Sequence, residues 1–187
     1  MASKQQSANA KHAQVWIETV LYTLIGLAVI GLLLAVTRPR ISATQDEFIV
    51  QQTMQALSEL DSKINEVKQA VGNVRIVDFQ LQRGELEISA GAENSIIEWR
   101  LFGTSYMLSE PGQSVDIGKI SALTEQQGNK YNIKLLLNYT DTIELNVDGK
   151  NSGSKTLYPA KVPYAISIEN SGPSGSSGKL LINISIK

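Results

Sequence analysis

The sequence predicts an α+β protein: a long N-terminal transmembrane and amphipathic helix, kinked near Pro39, followed by an antiparallel β-sandwich-like globular head. Three observations predict it. Residues 15–36 form an apolar run interrupted by one carboxylate, Glu18. Apolar residues then recur at helical spacing from Val50 to Val71. After Asn73, short β-prone stretches alternate with Gly, Pro, Asn and Asp turns.

The apolar run comes first. Val15 to Val36 is 22 residues, which as a helix reaches ~33 Å and is enough to cross a bilayer core. Lys4 and Lys11 precede it and Arg38 and Arg40 follow, so flanking charge orients it only weakly. Trp16 sits at its border, where an indole is favoured in any membrane protein. Three readings compete for the run. A secretory signal has a shorter apolar core and a small-residue cleavage site, and Leu33-Leu34-Ala35-Val36-Thr37 is a poor version of one. A plain single-pass anchor accounts for the length. It leaves Glu18 in lipid at a cost of a few kcal/mol, less near the headgroups. The third reading is a leader cut on the cytoplasmic side, ahead of the apolar helix.

Lys11-His12-Ala13 followed by Gln14-Val15-Trp16-Ile17-Glu18-Thr19 resembles the class III signal peptide of archaeal type IV pilin-like proteins. That pattern has a basic pair and a small residue before the cut, then a polar or small first residue; here His12 replaces the second basic residue. The resemblance implies cleavage between Ala13 and Gln14, which makes Glu18 the fifth mature residue, where type IV pilins commonly carry glutamate. It also implies that the Glu18 carboxylate pairs with the new amino terminus, at Gln14, of a neighbouring subunit. The electrostatics agree, because a carboxylate in apolar surroundings needs a cation and cleavage creates one. The implied partners are further copies in a helical filament, a class III signal peptidase that reads Lys11 and His12, a secretion ATPase with its membrane platform protein, and lipid before assembly. The division that follows is 1–13 leader, 14–37 transmembrane and filament-core helix, 38–73 amphipathic helix, and 74–187 extracellular β domain.

Pro39 lacks a backbone donor and clashes with the preceding turn, so the helix is expected to kink or restart there. Ser42 with Gln45, or Thr44 with Glu47, provides a capping box for a restart. Val50, Leu57, Leu60, Ile64, Val67 and Val71 then form one stripe, with Glu59, Asp61, Lys63, Glu66 and Lys68 mostly off it. Gly72-Asn73 is the expected stop. The stripe serves packing on the chain's own head or a filament core.

Val74–Gln82, Arg83-Gly84 and Glu85–Ala90 read as a hairpin. Further strands are expected near 96–102, 105–109, 131–139, 142–147, 163–169 and 179–186, and 171–178 reads as a flexible polar loop. By layout alone this head resembles the β-rich domains of archaeal pilins and archaellins.

Composition narrows the chemistry. A net charge of −1 argues against nucleic acid as a partner. There is no cysteine, and the lone histidine, His12, lies in the leader. A mature chain therefore lacks thiolate chemistry and the commonest general base and metal ligand. No phosphate-binding glycine loop or Gly-x-Ser-x-Gly is present. Asp116, Asp141, Glu144 and Asp148 have no calcium-loop spacing and read as solvated strand ends and turns. Trp99 reads as core or sheet surface. The expectation is a structural subunit, with no catalytic residue, cofactor or metal. Asn138-Tyr139-Thr140 and Asn183-Ile184-Ser185 match the N-glycosylation pattern, Asn138 being the better placed. The rival from another class is a membrane-anchored extracellular β-sandwich binding module that does not polymerise; a surface hydrolase is a weaker one.

Overall fold

A computed structural model describes residues 3–175 and 177–187, with the side chains of 3–15 and 37–40 outside the description. Two compact units result, Met1–Ser42 and Ala43–Lys187. One helix, α1, runs Ser3–Val67. It stays helical through Pro39, so the expected restart and its capping boxes at Ser42/Gln45 and Thr44/Glu47 do not form. A proline removes one hydrogen bond from a helix that is otherwise continuous on both sides, at about 3 kcal/mol.

In the first unit, the described side chains of α1 are exposed on every face from Trp16 to Val36. This part of α1 is long and apolar enough to cross a membrane, with a window of mean hydropathy 2.5 that is 0% buried. A helix that is hydrophobic all round needs lipid or other helices about it.

The second unit joins the end of α1 to ten strands. Val50, Leu57, Leu60, Ile64 and Val67 are fully buried, as their spacing requires, and Ile49 joins them. Burying each such side chain is worth about 1.5–3 kcal/mol, so packing rather than propensity holds this segment helical. Val71 departs from the expected stripe. The helix ends at Val67 and Val71 is 65% exposed beyond it.

The strands are β1 Val74–Phe79, β2 Glu85–Ala90, β3 Ile96–Thr104, β4 Ser114–Ile117, β5 Ile120–Gln127, β6 Lys130–Asn138, β7 Ile143–Val147, β8 Gly153–Leu157, β9 Tyr164–Pro173 and β10 Leu180–Ile186. One sheet has the order β1-β9-β10-β7 and the other β4-β5-β6-β3-β2-β8. Their inner faces and the α1 stripe share one core, with Trp99 and Phe79 among its largest fully buried side chains. Ser95 ties the sheets together. Its Oγ donates to Gly91 O at 2.6 Å and accepts from Leu145 N at 2.8 Å, beside a Gly91–Leu145 bridge. The sheets of this unit form a curled half-barrel, and the chain is α+β as expected.

Four strand expectations are corrected. β1 does not pair with β2; it lies antiparallel to β9, Val74 opposite Glu169. Between β1 and β2 the chain crosses from one sheet to the other, and Leu81 is buried on the way. Gly84 is there because the chain must press against β3: a Cβ would meet Arg100 O at 2.3 Å. All ladders are antiparallel except β7 with β10, which is parallel. Residues 105–109 are not a strand, whereas β4, β5 and β8 are additional ones. The 171–178 segment closes the β9–β10 hairpin, as a hairpin loop was expected to, but the loop is shorter: β9 runs to Pro173 and Ser174 N donates to Lys179 O at 2.7 Å.

Candidate functional site

Lys11 and His12, expected for leader recognition, and Ala13 and Gln14, the expected cleavage pair, lie on α1, and their side chains are outside the described residues. Glu18 is exposed, with Trp16, Ile17, Val20 and Leu21 about it at 70%, 56%, 40% and 53% exposure. Glu18 thus lies within the exposed apolar stretch of α1.

Within the head the polar groups serve the fold. Asp46 is only 4% exposed. Its Oδ2 accepts from Thr104 Oγ1 at 2.7 Å and Ser105 N at 3.1 Å, and its Oδ1 pairs with Arg83. Burial pushes its pKa up, but Thr104, Ser105 and Arg83 outweigh that and hold it below the ordinary carboxylate value. A β-bulge makes this contact possible. The register of β3 against β6 shifts between Leu101 and Thr104, and Gly103 has φ +66°. The one extra residue turns Thr104 inward, while Phe102 faces outward by the alternation that follows buried Leu101.

Two more contacts fasten α1. Tyr139 donates its hydroxyl to Asp61 at 2.7 Å; burial, then the Asp61 carboxylate, raises its pKa far above the usual tyrosine value. Asn170, 1% exposed, caps the end of α1: its Nδ2 donates to Val67 O at 2.9 Å, and its own carbonyl accepts from Gly72 N at 2.8 Å. Sequence reasoning missed all three. Asp46 did leave a signal, because it precedes Val50 by one helical turn and so lies on the buried face. Neither Tyr139 nor Asn170 gave any, their partners being far away in sequence.

The candidate ligands are scattered. Asp116 accepts from Ser121 at 2.6 Å, and Asp148 from Lys155 at 2.5 Å and from Ile186 N. Glu144 corrects the expectation of a solvated acid. It is 2% exposed, on a strand buried along its whole length, and accepts from Ser177 Oγ at 2.6 Å. Among the described residues no three His, Cys, Asp or Glu gather to hold a metal. Trp99 is core, its Nε1 donating to Arg83 O at 3.0 Å.

The two sequons differ. Asn138 is exposed at the end of β6, its Oδ1 accepting from Thr140 N at 3.0 Å. Asn183 is half-buried on β10, a strand paired on both sides, and its Oδ1 accepts from Gly149 N at 3.3 Å.

These features define a class: an apolar helix exposed on all sides, joined in one chain to a β-rich head that its other end completes. No protein-family model, curated protein or solved structure matches the chain.

Proposed function

We propose that the chain is the precursor of an archaeal type IV pilin-like structural subunit. A class III signal peptidase cuts between Ala13 and Gln14. The mature helix waits in the membrane with its head outside, then moves into a cell-surface filament with an adhesive or related surface role. One observation carries this reading: Glu18 stands near the start of an exposed apolar helix, five residues past the small residue Ala13. In the filament, neighbouring helices replace lipid, so apolar burial is kept, and the amine of Gln14 on one subunit meets Glu18 of the next. The sandwich-like head is the exposed part. Transfer out of lipid needs work from a secretion ATPase and a membrane platform protein, and the chain needs no cofactor for its role.

Mass spectrometry of the amino terminus from native surface material, with imaging for filaments, tests this. A chain beginning at Gln14 is expected. A full-length, uncut chain favours the anchored, non-polymerising binding module instead. Changing Lys11 and Ala13 together leaves a longer chain, and an unchanged mass refutes the junction. Glu18→Ala or Glu18→Val impairs assembly while leaving membrane insertion intact or improved. Normal filaments from either variant remove the proposed role of Glu18.

A further inference from the structure

The head carries an aromatic surface that its core does not use. Phe48, Phe102 and Tyr158 are 62%, 53% and 61% exposed. They come from three elements: α1, the bulge of β3, and the segment after β8. Arg83 joins them, lining one cleft with Thr44 and Phe48 and a second with Phe102, Tyr158 and Pro159. A second cation is close. Lys130, itself exposed, donates to Ser105 Oγ at 2.6 Å, and Ser105 N donates to the Asp46 that pairs with Arg83.

The position of this surface in the chain indicates what covers it. Thr44 follows Val36, the last residue of the apolar run, by eight positions. Eight residues reach ~12 Å as helix and at most ~29 Å fully extended. Thr44, in the first cleft, is therefore tethered within this distance of Val36. Tyr158 beside Arg and Lys suits a membrane–water boundary, having one apolar end and one wet end, while Phe48 and Phe102 offer wholly apolar rings that lipid can cover. An aqueous surface gives three such rings nothing to cover.

We infer that Phe48, Phe102 and Tyr158, with Arg83 and Lys130, form a lipid-contacting foot that rests on the headgroup layer while the apolar run holds the subunit in the bilayer. The inference rests on reading residues 16–36 as a membrane span.

The test uses the full chain, which has no native cysteine. Pro159→Cys, in the second cleft, and Asn65→Cys are each labelled with an environment-sensitive fluorophore. Asn65 lies ~26 Å further along α1 than Phe48. Both proteins are reconstituted into phosphatidylcholine–phosphatidylglycerol vesicles carrying a headgroup nitroxide quencher. Quenching at position 159 is expected to exceed that at 65 several-fold. Adding Phe102→Ser and Tyr158→Ser to the Pro159→Cys chain is expected to abolish the difference without shifting the thermal transition of the head. Co-flotation with equal, weak quenching at both positions overturns the foot alone. Failure to co-float with the vesicles overturns the membrane span, and the foot with it.

Discussion

Asp46→Ala tests how the head holds α1. The substitution leaves the Thr104 hydroxyl, fully buried, and the Ser105 N–H without their acceptor, at about 1–3 kcal/mol each. Arg83 adds little, because it is 44% exposed and an ion pair open to water is worth about 0–1 kcal/mol. The expected loss is therefore about 2–6 kcal/mol, most of it from the two donors rather than the ion pair. Asp46→Asn keeps one oxygen that can accept from both donors, as Oδ2 does, and loses only the exposed ion pair and the charge on the acceptor, about 1 kcal/mol. Arg83→Gln costs under about 1 kcal/mol. Urea unfolding of the detergent-solubilised chain, followed by Trp99 fluorescence in a Trp16→Phe background, measures all three. The pH dependence has a definite sign. The folded Asp46 has a lowered pKa, so its contribution is complete above the ordinary carboxylate value of about 4 and fades as pH falls through the lower folded value. The gap between the natural chain and Asp46→Asn thus closes only in strong acid. A loss below about 0.5 kcal/mol for Asp46→Ala, the range of an ordinary surface change, refutes this account.

Gly84→Ala should cost about 3 kcal/mol or more, because the added carbon meets Arg100 O at 2.3 Å and φ is +78°; a midpoint unchanged in urea contradicts it. Asn170→Ala removes two side-chain hydrogen bonds of a buried residue, to Val67 O and from Gly172 N. A loss of about 2 kcal/mol is expected, with faster amide exchange in the last turn of α1. Tyr139→Phe deletes the bond to Asp61 for about 1 kcal/mol and leaves the Asn138 sequon intact. Peptide mass mapping of surface material should find glycan on Asn138 and not on Asn183; the reverse pattern contradicts the exposure argument.

Local pattern was legible where the environment is simple. The exposed apolar helix follows from 22 residues with one carboxylate, and the α1 stripe from its three-and-four spacing. The core positions of β3 and β6 follow from alternation, every second residue being buried along most of each. Pairing was not legible. Val74–Ala90 has the turn residues of a hairpin, yet Gly84 serves a close approach to Trp99 and Arg100, so the same residue type misled. β4 was missed although Ser114-Val115-Asp116-Ile117 alternates polar and apolar, because four residues are too short a run to stand out from a turn. Ser171–Pro173 was taken as loop from its Ser-Gly-Pro composition, while the ladder with β10 decides otherwise. Of the proposed site, the junction and Glu18 were read from sequence alone. The aromatic surface was not, because Arg83, which lines both the Phe48 cleft and the Phe102–Tyr158 cleft, is placed there by the crossing between β1 and β2.

The pairing of β1 with β9 sets an order of events during synthesis. The cap on α1 comes from a residue 103 positions beyond the helix end it closes. Contacts of that separation form late. While the chain is being made, the α1 stripe has no finished core to enter, and β1 has no neighbour until β9 emerges. A ribosome that stops early releases a polypeptide whose helix end is uncapped and whose first strand is bare. Such a product is open to proteases and holdases. Closure is thereby written into the topology: only a chain translated through β9 and β10 can pair β1 and cap α1.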